Sequence, residues 1–319
     1  GPMKDQKLTP RIADTARGIW VAYGILSVSC LLAYRWAGMG WADAFMHMCS
    51  TVSLGGFSSY DASLGHWGSP LIEGVAIVFM LLSGVNLLLY YAVWRRRSLA
   101  VLWRNLEVRM FYGILAGSIV LITSFLVATG EHPDILTALR LTTFHVISVA
   151  TTTGYATHDY AQWPLFAGLL MILLGCFATC AGSTGGGIKM IRLLLLVAQA
   201  RRELVRIVHP QVVNPIVIGG RAIDDRTIQG VIAFMMLYGA TLVVFTMILL
   251  FSGLDVVTAF TAVIACVNNI GPGLGDVGPA VNYGGLSDFQ TWVCTLAMML
   301  GRLELLSVMV LLLPQFWRK

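Results

Sequence analysis

The chain has 319 residues, 57% of them hydrophobic and 12% charged, with a mean hydropathy of +0.78. A soluble domain carries roughly 25% charged residues, so this composition excludes an ordinary water-soluble globule and places most of the chain in lipid. The net charge of +5 is no nucleic-acid signal, because the basic residues gather at the ends of apolar stretches.

Gly1 to Ala16 is a polar lead carrying Lys4, Lys7 and Arg11, and no short apolar core with a cleavage site follows it. A first unit occupies residues 17–105. Arg17 to Trp36 is about one membrane span at ~1.5 Å per residue. Trp41 to Ser53 is apolar but too short to cross, and it runs into Leu54-Gly55-Gly56-Phe57. Ser69 to Trp94 spans again and ends in Arg95-Arg96-Arg97.

A second unit occupies residues 106–200. Arg109 to Thr129 spans, Ile135 to Ala150 is the short helix, Thr151 to Tyr155 the loop, and Trp163 to Val197 the return. A basic linker covers 201–226, and a third unit covers 227–319. There Ile228 to Phe251 spans, Asp255 to Val267 is short, Asn268 to Gly273 is the loop, and Phe289 to Leu313 returns.

The three units align by residue offset. Gly56, Gly154 and Gly271 are each followed five residues later by an acid, namely Asp61, Asp159 and Asp276. His47 and His145 stand nine residues before the first two glycines. Gly84 and Gly182 follow those two by 28 residues, and Gly301 follows Gly271 by 30. Of 21 Lys and Arg residues, 18 lie on the side where each unit begins and ends, which makes that side cytoplasmic. The exceptions are Arg35, Arg140 and Arg302.

Non-helical backbone at membrane depth is tolerated only where protein covers it or water lines it. Three loops of this kind therefore need a shared axis. Glycine lets a backbone turn its carbonyls toward such an axis, and carbonyl rings replace the water shell of potassium in selectivity filters. Each short helix also points its negative C-terminal end at its loop, which favours a cation between them. The candidate ion ligands are Gly55, Gly56, Thr152, Thr153, Gly154, Asn269, Ile270 and Gly271. The competing reading makes the loops tight turns in re-entrant hairpins. Unequal loops predict a pore that is not strictly fourfold and discriminates less sharply, though still potassium over sodium. Asp61, Asp159 and Asp276 read as an acidic vestibule or as solvated acids capping turns.

Gly182-Ser183-Thr184-Gly185-Gly186-Gly187, with Lys189 after it, interrupts the longest apolar run. Glycines disfavour helix by roughly 1 kcal/mol each. A phosphate loop would need Lys at 188, where Ile stands. A broken helix forming a mobile plug under the filter fits better than a small-residue packing surface. Arg302 is an intramembrane cation that has to face protein or water. It is expected to hold the Gly182–Gly187 loop across the pore, against the alternative of a local ion pair. Glu304, two residues away, is a poor helical partner for it. His47 and His145 read as hydrogen-bonded helix residues. The six cysteines, Cys176 and Cys180 included, read as buried free thiols and not as a metal pair. No nucleophile, base or metal set converges, so an enzyme is not expected.

Lys7 to Ala13, Cys180 to Lys189, Val267 to Gly275, Leu300-Gly301-Arg302-Leu303-Glu304 and Phe316-Trp317-Arg318 resemble the Trk/Ktr/HKT superfamily of potassium transporters, most nearly its bacterial TrkH branch. The resemblance implies an all-α integral membrane fold in which four span–short helix–loop–span units surround one filter. It also implies a multi-pass protein of the bacterial inner membrane, a homodimer, and a cytosolic TrkA-type ring that binds nucleotide. K+ would be the cargo, with no organic cofactor. In that superfamily the Gly-rich break and the Arg of the last span form the gate. The departure is that only three units are present. Gly1-Pro2-Met3 has the look of a tag scar, yet it also resembles the stretch just ahead of the family's second repeat. The expectation is therefore repeats two to four, with the first absent. The expected function is passive or gated potassium uptake, the alternative being sodium- or proton-coupled symport.

Overall fold

The computed structural model describes residues 12–303, 305–311 and 313–317, with side chains from residue 16. Most of the polar lead, Glu304 and Arg318 lie outside the described residues. The long helices are α1 (Ile12–Trp36), α6 (Leu106–Ala128) and α10 (Asp225–Phe251), each long and apolar enough to cross a membrane. The short ones are α2 (Trp41–Val52), α7 (Ile135–Ala150) and α11 (Val256–Asn268). At ~1.5 Å per residue none of these three reaches across a ~30 Å core.

Burial separates the two sets. The apolar window of α1 is only 11% buried, whereas Phe144 to Ala150 of α7 and Thr261 to Asn268 of α11 are buried without interruption. The long helices present an apolar face outward and the C-terminal halves of α7 and α11 are enclosed, whereas α2 keeps Trp41, Phe45 and Met46 exposed; α1 packs against α2, α6 against α7 and α10 against α11. Local chemistry sets where the second and third short helices begin. Asp134 caps α7 by accepting from the amides of Leu136 and Thr137, and Asp255 caps α11 through Val257 and Thr258.

The return helices correct one expectation. Ser69 to Trp94 is not one straight span: α3 (Pro70–Ser83) and α4 (Leu87–Arg96) meet at 84°. Asn86 caps α4 by accepting from the amide of Leu88, which starts a new helix inside a continuous apolar run. A short α5 (Ala100–Arg104) leads into α6. The central return is α8 (Leu165–Phe177) and α9 (Met190–Val208), separated by the Gly-rich stretch. The last return also turns, with α12 (Asp288–Arg302) ending where α13 (Leu305–Leu311) begins, followed by α14 (Pro314–Trp317).

Helix α9 runs past residue 200, where the linker was expected to begin. Its Arg202 is buried and paired with Asp225 at 2.7 Å, tying α9 to the start of α10. Between them the chain makes a hairpin, β1 (Val217–Ile218) antiparallel to β2 (Arg221–Ala222).

Candidate ion filter and gate

The loops after α2, α7 and α11 share one backbone course. Leu54, Thr152 and Asn269 have φ of 54°, 61° and 55°, and two residues later Gly56, Gly154 and Gly271 have φ of 67°, 85° and 106°. The amides of Leu54, Thr152 and Asn269 each donate to the carbonyl three residues back. Those of Gly55, Thr153 and Ile270 donate to Ser50, Ser148 and Ala265, five residues back, at 2.8 to 2.9 Å. Left-handed backbone is unfavourable for Leu and Thr, though tolerated by Asn, so its recurrence at one offset marks a conformation enforced by surroundings.

The loops also abut in order. A side chain at Gly56 would collide with the carbonyl oxygen of Thr153, and one at Gly154 with that of Ile270. The glycines are needed twice over, for their φ and for this close approach. Behind the loops, Tyr34 Oη and Thr51 Oγ1 are 2.8 Å apart, and Thr51 Oγ1 is 3.1 Å from Tyr155 Oη. Ser148 Oγ donates to the Tyr155 carbonyl at 2.7 Å, and Tyr283 Oη donates to that of Gly271 at 2.9 Å.

The Gly-rich stretch lies against the C-terminal ends of all three short helices. Thr184 Oγ1 donates to the Val52 carbonyl at 2.9 Å, and the amide of Gly186 donates to Thr152 Oγ1 at 2.7 Å. A side chain at Gly186 would collide with the Asn268 carbonyl, so bare backbone is the only fit there. The start of the stretch is paired to the α3–α4 break: Cys180 donates to the Gly84 carbonyl at 3.1 Å, and Leu87 donates to that of Gly182 at 3.2 Å. Glu107 of α6 accepts from the amide of Ala181 at 3.2 Å.

The donor that folds onto this stretch is Lys189. Its Nζ donates to the Gly185 carbonyl, to Ser183 Oγ at 3.3 Å and to Thr179 Oγ1 at 3.4 Å. Arg302 does not do what the sequence led us to expect. It is exposed, and among the described residues no hydrogen bond joins it to the Gly182–Gly187 loop. Of the other two outlying cations, Arg140 pairs with the buried Glu73 of α3 at 3.0 Å.

The acids diverge from one another. Asp159 is taken up locally, accepting from the Ala161 amide at 3.2 Å and from Gln162 Nε2 at 2.9 Å. Asp61 and Asp276 are exposed.

The whole sequence, residues 1–319, matches the family model described as "TrkH: Cation transport protein". The chain belongs to the TrkH family. Among TrkH relatives it is 42% identical over 319 residues to the Trk system potassium uptake protein TrkH of Salmonella typhimurium. It is 40% identical over 318 residues to TrkG of Escherichia coli. The solved structure of the potassium transporter TrkH from Vibrio parahaemolyticus superposes with a TM-score of 0.91 at 38% identity, covering 98% of this chain and 67% of that one. All of this chain is covered in the Salmonella comparison, but only 66% of the relative's length. This TrkH-family chain thus spans about two thirds of its relatives.

Within the TrkH frame, Gly55, Gly56, Thr152, Thr153, Gly154, Asn269, Ile270 and Gly271 fall in the three abutting loops. Gly182 to Gly187 and Lys189 fall in the stretch beneath them. Sequence reasoning missed Glu107, Tyr34, Tyr283 and Asn86. Each of the first three serves an element other than its own, Glu107 from 74 residues away and Tyr34 and Tyr283 from 17 and 12. Asn86 alone carried a local signal, as the one amide side chain inside an apolar run.

Proposed function

We propose that this chain forms most of a potassium-conducting pore of the bacterial inner membrane. Its units at 17–105, 106–200 and 227–319, joined by the 201–226 linker, supply three of four loops arranged pseudo-fourfold about one ion path. K+ is the cargo, ligated by carbonyls around Gly56, Gly154 and Gly271 together with Gly55, Thr152, Thr153, Asn269 and Ile270. The Gly182–Gly187 stretch with Lys189 is the gate beneath, and Arg302 adds an electrostatic barrier. Asp61 and Asp276 draw cations to the outer mouth, with Asp159 contributing mainly as a cap. The complete protein acts as a homodimer regulated by a TrkA-type nucleotide-binding ring, and it moves ions without covalent chemistry.

One observation carries this reading: three loops with the same alternation of left-handed residues, each glycine of the first two against the next loop's carbonyl. Isolated turns have no reason to share that course or to abut. The names of the relatives supply the ion. The test is Gly154→Ser in the complete protein reconstituted in liposomes, reading rubidium against sodium flux. Selectivity is expected to fall about tenfold, the scale of one lost ~1.4 kcal/mol contact, while insertion is normal. An inserted mutant with wild-type selectivity would make the loop a turn and not a coordination site.

A further inference from the structure

Beyond the ion ligands themselves, each loop has to be held where it climbs away from its glycine. In the central unit that limb is residues 155–158. Besides the Ser148 bond to Tyr155, its Ala156 carbonyl accepts from the Gly65 amide at 3.3 Å, and the Ala156 amide donates to Ser63 Oγ at 3.4 Å. The amides of Thr157 and His158 converge on one atom. Both donate to His145 Nε2, at 3.2 and 3.3 Å.

The chemistry of these partners fixes the imidazole. Backbone amides only donate, so Nε2 has to be an unprotonated acceptor. The other nitrogen, Nδ1, faces the Leu141 carbonyl at 2.8 Å, an acceptor only, so it carries the proton. The ring is fully buried and boxed by Phe144, Tyr160 and Trp163, with centroids 5.3 to 5.5 Å away. Neither a flip nor a second proton is compatible with that set of contacts.

The other two limbs are held in related but different ways. His47 has the same arrangement, with Nδ1 on the Asp43 carbonyl at 2.8 Å. Its Nε2 is 2.9 Å from Ser58 Oγ, which accepts from the Tyr60 amide at 3.2 Å. In the third unit hydroxyls replace imidazole: Thr261 Oγ1 accepts from the Leu274 amide at 2.9 Å, and Thr258 Oγ1 from that of Asp276 at 3.1 Å.

We infer that His145 is a positioning residue for ion selection: as a neutral imidazole protonated only at Nδ1, it anchors the outer limb of the central loop through two amides. His47 with Ser58, and Thr258 with Thr261, do the same for the flanking loops. The inference rests on the filter reading above. Removing the anchor frees two amides and lets the limb shift, so the carbonyls that grade ions by size lose their spacing.

The experiment uses the complete protein in liposomes and reads the rubidium-to-sodium flux ratio of the inserted, monodisperse fraction. His145→Ala is expected to lower the ratio about tenfold, the scale of leaving a buried donor unpaired. His145→Gln places Oε1 near the position of Nε2 and is expected to restore the ratio to within about threefold of wild type. A merely structural role would lower yield and melting temperature and leave the ratio alone. Ser58→Ala, which cuts the His47 relay at a half-buried site, is expected to lower the ratio about threefold. It decides the matter if His145→Ala does not insert. A wild-type ratio in inserted His145→Ala, or in Ser58→Ala where the former cannot be made, overturns the inference. So does a nitrogen NMR signature showing His145 protonated at Nε2. If Gly154→Ser alters selectivity while these variants do not, the anchor fails and the filter reading stands. If Gly154→Ser is also silent, the filter reading itself is at fault.

Discussion

The central loop at Thr151–Tyr155 and the stretch at Gly182–Gly187 are both non-helical backbone at membrane depth, yet they are built differently. The first is buried apart from half-buried Gly154, and its polar groups are met by its own short helix and by short side chains such as Ser148 and Thr151, with His145 holding the limb just beyond it. The second is largely half-buried, and long or rotatable side chains hold it: the Lys189 ammonium and the Thr184 hydroxyl. Short, boxed partners fix a backbone in one place. A four-carbon stem with rotatable donors lets a backbone leave and return. On the proposed reading, the same requirement to satisfy backbone groups away from water is met once for precision and once for movement.

Deleting Gly185–Gly187 is the strongest way to break this contrast. If the plug keeps about 99% of molecules closed, its removal raises resting rubidium flux by up to ~100-fold, with the rubidium-to-sodium ratio unchanged. Resting flux at the wild-type level in folded protein would remove the plug. A milder lesion sharpens the same point. Lys189→Met withdraws the donor from Gly185, Ser183 and Thr179, and a roughly tenfold rise in flux is expected from losing charged hydrogen bonds. An unchanged or lower flux would mean that the ammonium does not hold the closed state.

Arg302→Ala is expected to act in the same direction but less, about threefold, because a charge effect in a partly wet site is screened. Arg302→Lys should fall between it and wild type. A change in ion preference at Arg302 would place it at the filter and contradict the division drawn here. The smallest effect belongs to Asp159→Asn. Asparagine still caps the turn, so flux at low ionic strength should fall by less than about twofold. A large, salt-sensitive loss would restore Asp159 to the ion-attracting mouth.

The short helices were legible because their limits are written locally. Asp134 and Asp255 start two of them, and glycine follows each one. The bend at Gly84–Asn86 was not, because hydropathy along Leu71–Trp94 reports length and says nothing of direction. The expectation that Arg302 holds the loop by hydrogen bonds has a similar origin. A sequence shows that a buried cation needs acceptors, but Lys189 finds them by folding back four residues, and only the tertiary course reveals which cation does so. The anchors of the climbing limbs stood between these cases. The offset of His47 and His145 from their glycines was visible, whereas the amides they serve were not.

The reciprocal bonds between the two helix breaks carry a consequence for how the protein is made. The Gly84 carbonyl and the Leu87 amide are completed by Cys180 and Gly182, which are synthesised much later. Until that segment arrives, the bend between α3 and α4 holds bare polar groups that lipid cannot satisfy. The first unit therefore cannot settle as an independent hairpin. It has to wait in a more aqueous setting, or as a straighter helix, until the stretch after α8 is delivered. Maturation of the ion path is then a single concerted docking of two neighbouring units, and a lesion at either break should surface as misassembly of the other.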